Sequence, residues 1–123
     1  MTHSKAIRLR VMRAEVIAFG PGKAALLLAI EQAGSISAAA RALGMSYRRA
    51  WLLVEEMNTS FREPLVATAT GGANGGGARI TAFARTILSR YERMTMKAEA
   101  AVAQDMAYFA SLMATPNDAC AKE

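Results

Sequence analysis

Apolar residues alternate with arginines between residues 7 and 11, which is the period of a half-exposed β-strand. A second short apolar run follows at Val16–Phe19. These two runs predict a small N-terminal β-hairpin over residues 6–19, with its turn at residues 12–15.

Three-to-four spacing of apolar residues replaces this alternation in the next part of the chain. The breaker Gly20-Pro21-Gly22 precedes it. Leu26, Leu27 and Ile30 would then face a core from a helix over residues 23–33, since residues at this spacing share one helix face.

Two more helices separated by a tight turn are predicted between residues 36 and 61. Either Ser35 or Ser37 caps the first of them. It ends at Gly44, where a left-handed backbone costs glycine little. Ser46 caps the second helix. The pattern is typical of a helix-turn-helix, which places its second helix in the DNA major groove, although a generic helical hairpin has the same spacing.

Polar and basic residues occupy the turns where such a unit meets DNA. Residues at the start of the second helix reach base edges, whereas serines and backbone N–H groups meet phosphate. One of the two arginines could bond guanine, but at least one is expected only to neutralise phosphate, and the sequence does not decide which. The candidate DNA-contacting residues are Ser35, Ser37, Ser46, Tyr47, Arg48 and Arg49.

Three other residues of the second helix are expected to have different roles. Trp51 is expected in the core or at the edge of the groove rather than stacked on a base. Glu55 and Glu56 would repel phosphate, so the end of this helix should point away from DNA.

A glycine-rich segment follows and predicts the wing of a winged helix-turn-helix. Residues 65–70 and 78–80 are expected as its two strands around the glycine loop 71–77. No Lys-Ser or Lys-Thr pair follows the last glycine, so a P-loop is excluded, and a dinucleotide site lacks its following helix. We expect Asn74 and Arg79 near the DNA backbone or minor groove; a surface loop without DNA contact is the alternative.

A long amphipathic helix over residues 82–114 is predicted next, capped by Thr81 and followed by a tail at residues 115–123. Its apolar stripe is too long to pack wholly on so small a body, so it is expected to meet a second copy of the chain. The predicted fold class is mainly α with a small β-wing, a winged helix-turn-helix over residues 1–81 plus this dimerisation helix. The residues expected at the dimer contact are Ile87, Tyr91, Met94, Ala98, Ala101 and Val102.

Charge and composition narrow the function classes. The net charge of the 123 residues is +5, and 13 of the 15 lysines and arginines lie before residue 94, so positive charge accompanies the helix-turn-helix. The single cysteine, Cys120, favours a reducing cytoplasm. His3 is the only histidine. We therefore expect no metal site, no enzyme activity and no membrane association.

The chain resembles the N-terminal DNA-binding domain of the ModE family of molybdate-responsive transcriptional regulators. The central motif Gly-Ser-Ile-Ser-Ala-Ala-Ala-Arg-Ala-Leu-Gly-Met-Ser-Tyr-Arg-Arg-Ala-Trp at residues 34–51 carries the resemblance, and part of it is shared with LysR-type regulators. Residues 20–23 (Gly-Pro-Gly-Lys), 63–66 (Glu-Pro-Leu-Val) and the glycine run through residue 81 extend it.

The resemblance implies a dimeric regulator of double-stranded DNA, commonly a repressor of molybdate uptake with molybdate as corepressor. In that family molybdate is bound by C-terminal β-domains, and this sequence ends shortly after the long helix. We therefore expect no cofactor bound in this chain, with molybdate as a possible effector sensed elsewhere.

The leading hypothesis is a cytoplasmic, homodimeric repressor that binds a pseudo-palindromic operator. One alternative is a non-specific, nucleoid-type DNA binder. The other is a small protein that binds or stores molybdate.

Overall fold

A three-helix unit flanked by two β-hairpins forms the body of the protein. The computed structural model describes residues 7–69 and 77–115. The strands Val11–Arg13 and Val16–Phe19 pair antiparallel, as do the strands Val66–Ala69 and Gly77–Ile80 of the wing. This arrangement confirms the predicted mainly-α winged helix-turn-helix. The elements, in chain order, are β1 Val11–Arg13, β2 Val16–Phe19, α1 Pro21–Ala33, α2 Ile36–Leu43, α3 Tyr47–Ser60, β3 Val66–Ala69, β4 Gly77–Ile80, α4 Ala82–Ala101 and α5 Ala103–Leu112.

The core lies between α1, α2 and α3 and continues under the wing. The predicted inner face of α1 is confirmed, since Leu26, Leu27 and Ile30 are completely buried. On α2, Ala39 and Ala40 are buried, and such small side chains let neighbouring helices approach closely. The buried face of α3 consists of Ala50, Val54 and Met57.

The first strand does not lie where the alternating pattern placed it. The ladder pairs Val11–Arg13 with Val16–Phe19, so the turn is at residues 14–15 rather than 12–15. The side chains of residues 7 and 9 are half-buried, while those of 8 and 10 are exposed. Leu9 instead accepts a hydrogen bond at its backbone oxygen from the Tyr91 hydroxyl on α4, at 2.7 Å. The prediction of a strand over residues 7–10 was therefore wrong, because an extended segment packed against a helix has the same alternation of buried and exposed side chains as a strand.

Helix α1 begins two residues earlier than the predicted start at residue 23, because Pro21 lies in its first turn. A proline fits there, since the first N–H groups of a helix have no partner within the helix. The strands of the wing also differ slightly from the prediction. They are Val66–Ala69 and Gly77–Ile80, while residues 70–76 lie outside the described part of the chain.

The predicted long C-terminal helix is confirmed, but it does not run unbroken over residues 82–114, because it is interrupted at Val102. Val102 has φ −111° and ψ 16° and separates α4 from α5. No side chain of α5 is buried, so side-chain packing contributes little to holding α5 in line with α4.

Candidate nucleic-acid interface

Two left-handed glycines and two serine caps define the helix-turn-helix. Gly44 has φ +69°, and the N–H of Met45 donates to Ala40 O at 3.0 Å, which closes the turn between α2 and α3. The Ser35 hydroxyl accepts from the N–H of Ala38 at 3.0 Å, so Ser35 is the cap of α2. Ser37 is exposed on α2, and its hydroxyl accepts from Arg41 Nη1 at 3.0 Å.

The start of α3 points its polar residues into solvent. The Ser46 hydroxyl accepts from the N–H of Arg49 at 3.0 Å, as predicted for the cap. Tyr47, Arg48 and Arg49 are exposed. Within the described part of the chain, neither arginine side chain has a hydrogen-bond or ion-pair partner, so both guanidinium groups are available to an external anion or base.

A buried lysine fixes α3 from the other side. Lys23 on α1 is only 4% exposed, and its ammonium donates to Glu56 Oε1 at 2.8 Å and to the backbone oxygen of Ile17. Glu56 was expected to repel phosphate, but its charge is compensated by Lys23; only Glu55 lies exposed on solvent. The lysine therefore joins α1, the N-terminal hairpin and α3 at one point.

Asn58 near the end of α3 attaches the base of the wing. Its Oδ1 accepts from the N–H groups of Leu65 and Val66 at 2.8 and 3.2 Å, and its Nδ2 donates to Val66 O at 3.1 Å. The role of Asn58 was not predicted from the sequence. The one indication was a polar side chain directly after Met57 and seven residues before a predicted strand.

The second strand of the wing is attached to the start of the helix-turn-helix. The N–H of Ala78 donates to Gly34 O at 2.9 Å, in the turn between α1 and α2. A Cβ added at Gly77 would lie 3.4 Å from the same oxygen, at van der Waals contact with the turn. Arg79 is exposed on β4, one residue further, beside the helix-turn-helix. Asn74 lies outside the described residues.

The residues expected at a dimer contact fall into two groups along α4. Ile87 and Tyr91 pack against the chain's own core, and the Tyr91 ring meets Phe19 edge to face at 5.1 Å. Burial raises the pKa of the Tyr91 hydroxyl above its ordinary value, partly offset by the side chain of Thr95 and by the charge of Arg10. This intrachain role was not predicted.

The second group continues toward the break between the helices. Met94 and Ala98 on α4 are half-buried, as is Val102 at the break, while Ala101 is exposed. Beside α4 an apolar groove of about 610 Å³ opens against α1, with Leu28 and Leu88 on its walls. The part of the chain beyond Tyr91 is therefore the part that the monomer's own core does not use.

The described residues contain neither a cluster of metal-ligating side chains nor a membrane-spanning helix. They contain no group of three or more His, Cys, Asp or Glu side chains that could hold a metal ion. None of the helices formed by residues 7–69 and 77–115 combines the length and apolarity required to cross a bilayer.

Several bacterial regulators are similar to this chain over its N-terminal part. The transcriptional regulator ModE of Yersinia pestis is 43% identical over 72 residues, which are 58% of this chain and 27% of that protein. The molybdenum-pterin-binding protein MopB of Rhodobacter capsulatus is 46% identical over 72 residues, with the same shares. The DNA-binding transcriptional dual regulator ModE of Escherichia coli K12 is 40% identical over 72 residues, 58% of this chain and 28% of that protein.

The matched segment spans about a quarter of the length of these relatives.

The helix-turn-helix and its wing also match a family of known regulators. Residues 23–85, from the buried Lys23 through the wing into α4, match the family described as bacterial regulatory helix-turn-helix protein, lysR family. This match covers slightly more than half of the chain and includes each element of the interface, and the chain therefore belongs to that family of regulatory helix-turn-helix proteins.

Proposed function

We propose that this protein is a transcriptional regulator that reads a specific DNA sequence with the N-terminal turn of α3. The observation that carries the proposal is the pair of exposed, unpartnered arginines, Arg48 and Arg49, directly after the capped start of this helix. Arginine bonds guanine in bidentate fashion or neutralises phosphate, and the start of a recognition helix is where both contacts are made. Arg79 on the wing and Ser37 on α2 add phosphate contacts on either side.

The regulator acts as a homodimer on a pseudo-palindromic operator. Two copies joined through the α4 positions beyond Tyr91 would present two recognition helices to successive major grooves, which are about 34 Å apart. The half-buried Met94 and Ala98 support this contact, since each gains burial from a second copy.

The regulated process is molybdate uptake or molybdenum metabolism, with the protein acting as a repressor. The support is that similar regulators carry the names ModE, molybdenum transport protein and molybdenum-pterin-binding protein. Acting on chromosomal DNA places the protein in the cytoplasm, and reading DNA needs no catalytic group.

Genome-wide footprinting of the protein in its own cells tests the proposal, with cultures grown with and without molybdate. We expect a small set of protected sites next to genes for molybdenum transport or use, with transcription rising when the protein is deleted. Cells carrying Arg48→Ala and Arg49→Ala together should lose these footprints at equal protein level, whereas Arg93→Ala, an exposed arginine on α4, should keep them. Uniform protection across the chromosome would instead identify a nucleoid-type binder.

A further inference from the structure

Three large apolar or aromatic side chains lie exposed on the recognition helix. Tyr47 is 54% exposed, Trp51 37% and Leu52 49%. Trp51, expected in the core or at the groove edge, is therefore not a core residue. A single exposed apolar residue on a protein surface needs no explanation, but neighbouring ones on a functional surface do.

These side chains share the solvent face of α3 with the first arginine. Trp51 and Leu52 follow Arg48 by three and four residues, so they lie one turn further along the same side of the helix, about 6 Å from it. The buried face, with Ala50, Val54 and Met57, is on the other side. The ring of Trp51 meets that of Tyr47 edge to face, with 6.1 Å between the ring centroids.

The groove that receives a recognition helix offers one apolar group among its hydrogen-bonding edges, the 5-methyl group of thymine. The basic first turn of such a helix would contact polar base edges or phosphate. The apolar second turn would contact this methyl group. We propose that Trp51 and Leu52 contact thymine 5-methyl groups, so that each operator half-site carries thymine under the second turn of α3. This inference rests on the proposed DNA-reading function.

Charge favours DNA over a protein partner as the occupant of this surface. Arg48 and Arg49 are exposed on the same helix as the apolar side chains, while Glu56 on that helix is paired with Lys23. A polyanion that displays isolated methyl groups complements a surface with both properties. Glu55, seven residues after Arg48, is the acidic boundary of this surface.

Replacing thymine by deoxyuridine removes only the methyl group and so tests the contact directly. Duplexes bound by the full chain are first selected from a pool of random 30-base-pair DNA. The best duplex is then synthesised with each half-site thymine changed singly to deoxyuridine. Loss of one buried methyl group should weaken binding about fourfold at one or two positions under α3.

Variants then assign the effect to the named side chains. Leu52→Ala or Trp51→Ala should bind the thymine and deoxyuridine duplexes equally at one of these positions, because the side chain that meets the methyl group is absent. Leu112→Ala removes a leucine that is exposed on α5 and should keep the full discrimination of the unmodified protein. Circular dichroism verifies that each variant is folded.

The outcomes separate the inference from the function on which it rests. A selected duplex that binds equally well with deoxyuridine at every position would overturn the thymine contact and leave DNA reading intact. Full discrimination retained by both Leu52→Ala and Trp51→Ala would also overturn it, and would leave this face to another partner. A random pool that yields no enriched duplex would contradict the proposed function, and the thymine contact with it.

Discussion

Lys23 is the one charged side chain that is buried in the described part of the chain, and its contacts explain how α3 is held. Its ammonium joins Glu56 on α3 to the backbone of Ile17 on β2. Removing one partner of a buried pair is costly, because the other charge is left without compensation. An exposed pair is solvated in either state and contributes little.

We expect Lys23→Ala to lower the free energy of unfolding by about 3 kcal/mol, since it removes both the pair and the packed stem of the side chain. Urea unfolding followed by circular dichroism measures the change. Arg85→Ala is the matched control, because Arg85 also pairs with a glutamate, Glu31, at 3.1 Å, but on the surface. It should cost no more than about 1 kcal/mol; equal losses for the two variants would show that burial of Lys23 is unimportant.

The buried hydroxyl of Tyr91 makes the free energy of unfolding decrease as the pH becomes alkaline. The pKa of this hydroxyl is raised in the folded state by burial, whereas the unfolded chain ionises near its ordinary value of about 10. Above that pH the unfolded state releases its proton first, so stability falls as pH rises toward the folded pKa. Tyr91→Phe should cost about 1 kcal/mol at neutral pH through the lost bond to Leu9. Its stability should also fall less steeply above about pH 10; an unchanged alkaline slope in denaturant titrations would contradict the assignment.

Local residue roles were predictable from sequence, and long-range ones were not. The caps Ser46 and Thr81 were predicted because a cap acts within three residues, at Arg49 N–H and Ala84 N–H. The partner of Lys23 lies 33 residues away, and nothing in the pattern around either residue indicates it. The hydrogen bonds of Asn58 to the wing were unpredictable for the same reason, since only the folded chain brings that strand to the end of α3.

At the scale of elements, backbone conformation decides where the helix-turn-helix bends. Gly44 has φ +69°, and a side chain added there would meet nothing within 4 Å, so any penalty for substitution is conformational. Gly22 lies in the first turn of α1 and also has open space around it, but no positive φ. The two glycines therefore differ in backbone geometry alone.

Gly44→Ala should lower the free energy of unfolding by about 1 kcal/mol, because alanine is strained in the left-handed region. Gly22→Ala should raise it by up to about 0.5 kcal/mol, since alanine favours helix and restricts the unfolded chain. Thermal unfolding of both variants gives the sign directly. A stabilised Gly44→Ala would contradict a turn that requires the left-handed conformation.

The sequence misplaced two features, the segment 7–10 and the break at Val102, and no local signal marked either of them. Residues 7–10 alternate because one side faces α4, and the periodicity of burial is the same for a strand and for an extended segment packed on a helix. The break at Val102 occurs inside an alanine-rich run of strong helix formers, so no local breaker marked it. The helix-turn-helix was predictable because glycines and serines define both of its ends.

At the scale of the whole molecule, the proposed homodimer requires that two copies meet through α4. Ala98 lies half-buried on the side of α4 that continues from Ile87, and Ala100 is exposed on another side. A glutamate at the dimer contact would have to be desolvated, whereas one on the solvent face would not.

Ala98→Glu should shift the protein toward monomer in sedimentation velocity runs at micromolar concentration, and Ala100→Glu should leave its oligomeric state unchanged. The same alanine-to-glutamate change on one helix makes the pair a close control. A dimer unaffected by Ala98→Glu would place the contact elsewhere, for example on the groove beside α1.

The most direct measurement of DNA reading by α3 is an equilibrium titration of a selected duplex against a scrambled duplex at fixed salt. Fixed salt matters, because phosphate contacts alone bind any sequence and weaken as salt rises. We expect the unmodified protein to prefer the selected duplex, and at least one of the variants Arg48→Ala and Arg49→Ala to lose about tenfold on that duplex, as expected for a lost bidentate guanine contact. Arg93→Ala should bind like the unmodified protein. Equal affinity of the unmodified protein and both arginine variants for the selected duplex would contradict the assignment of α3 as the helix that reads DNA.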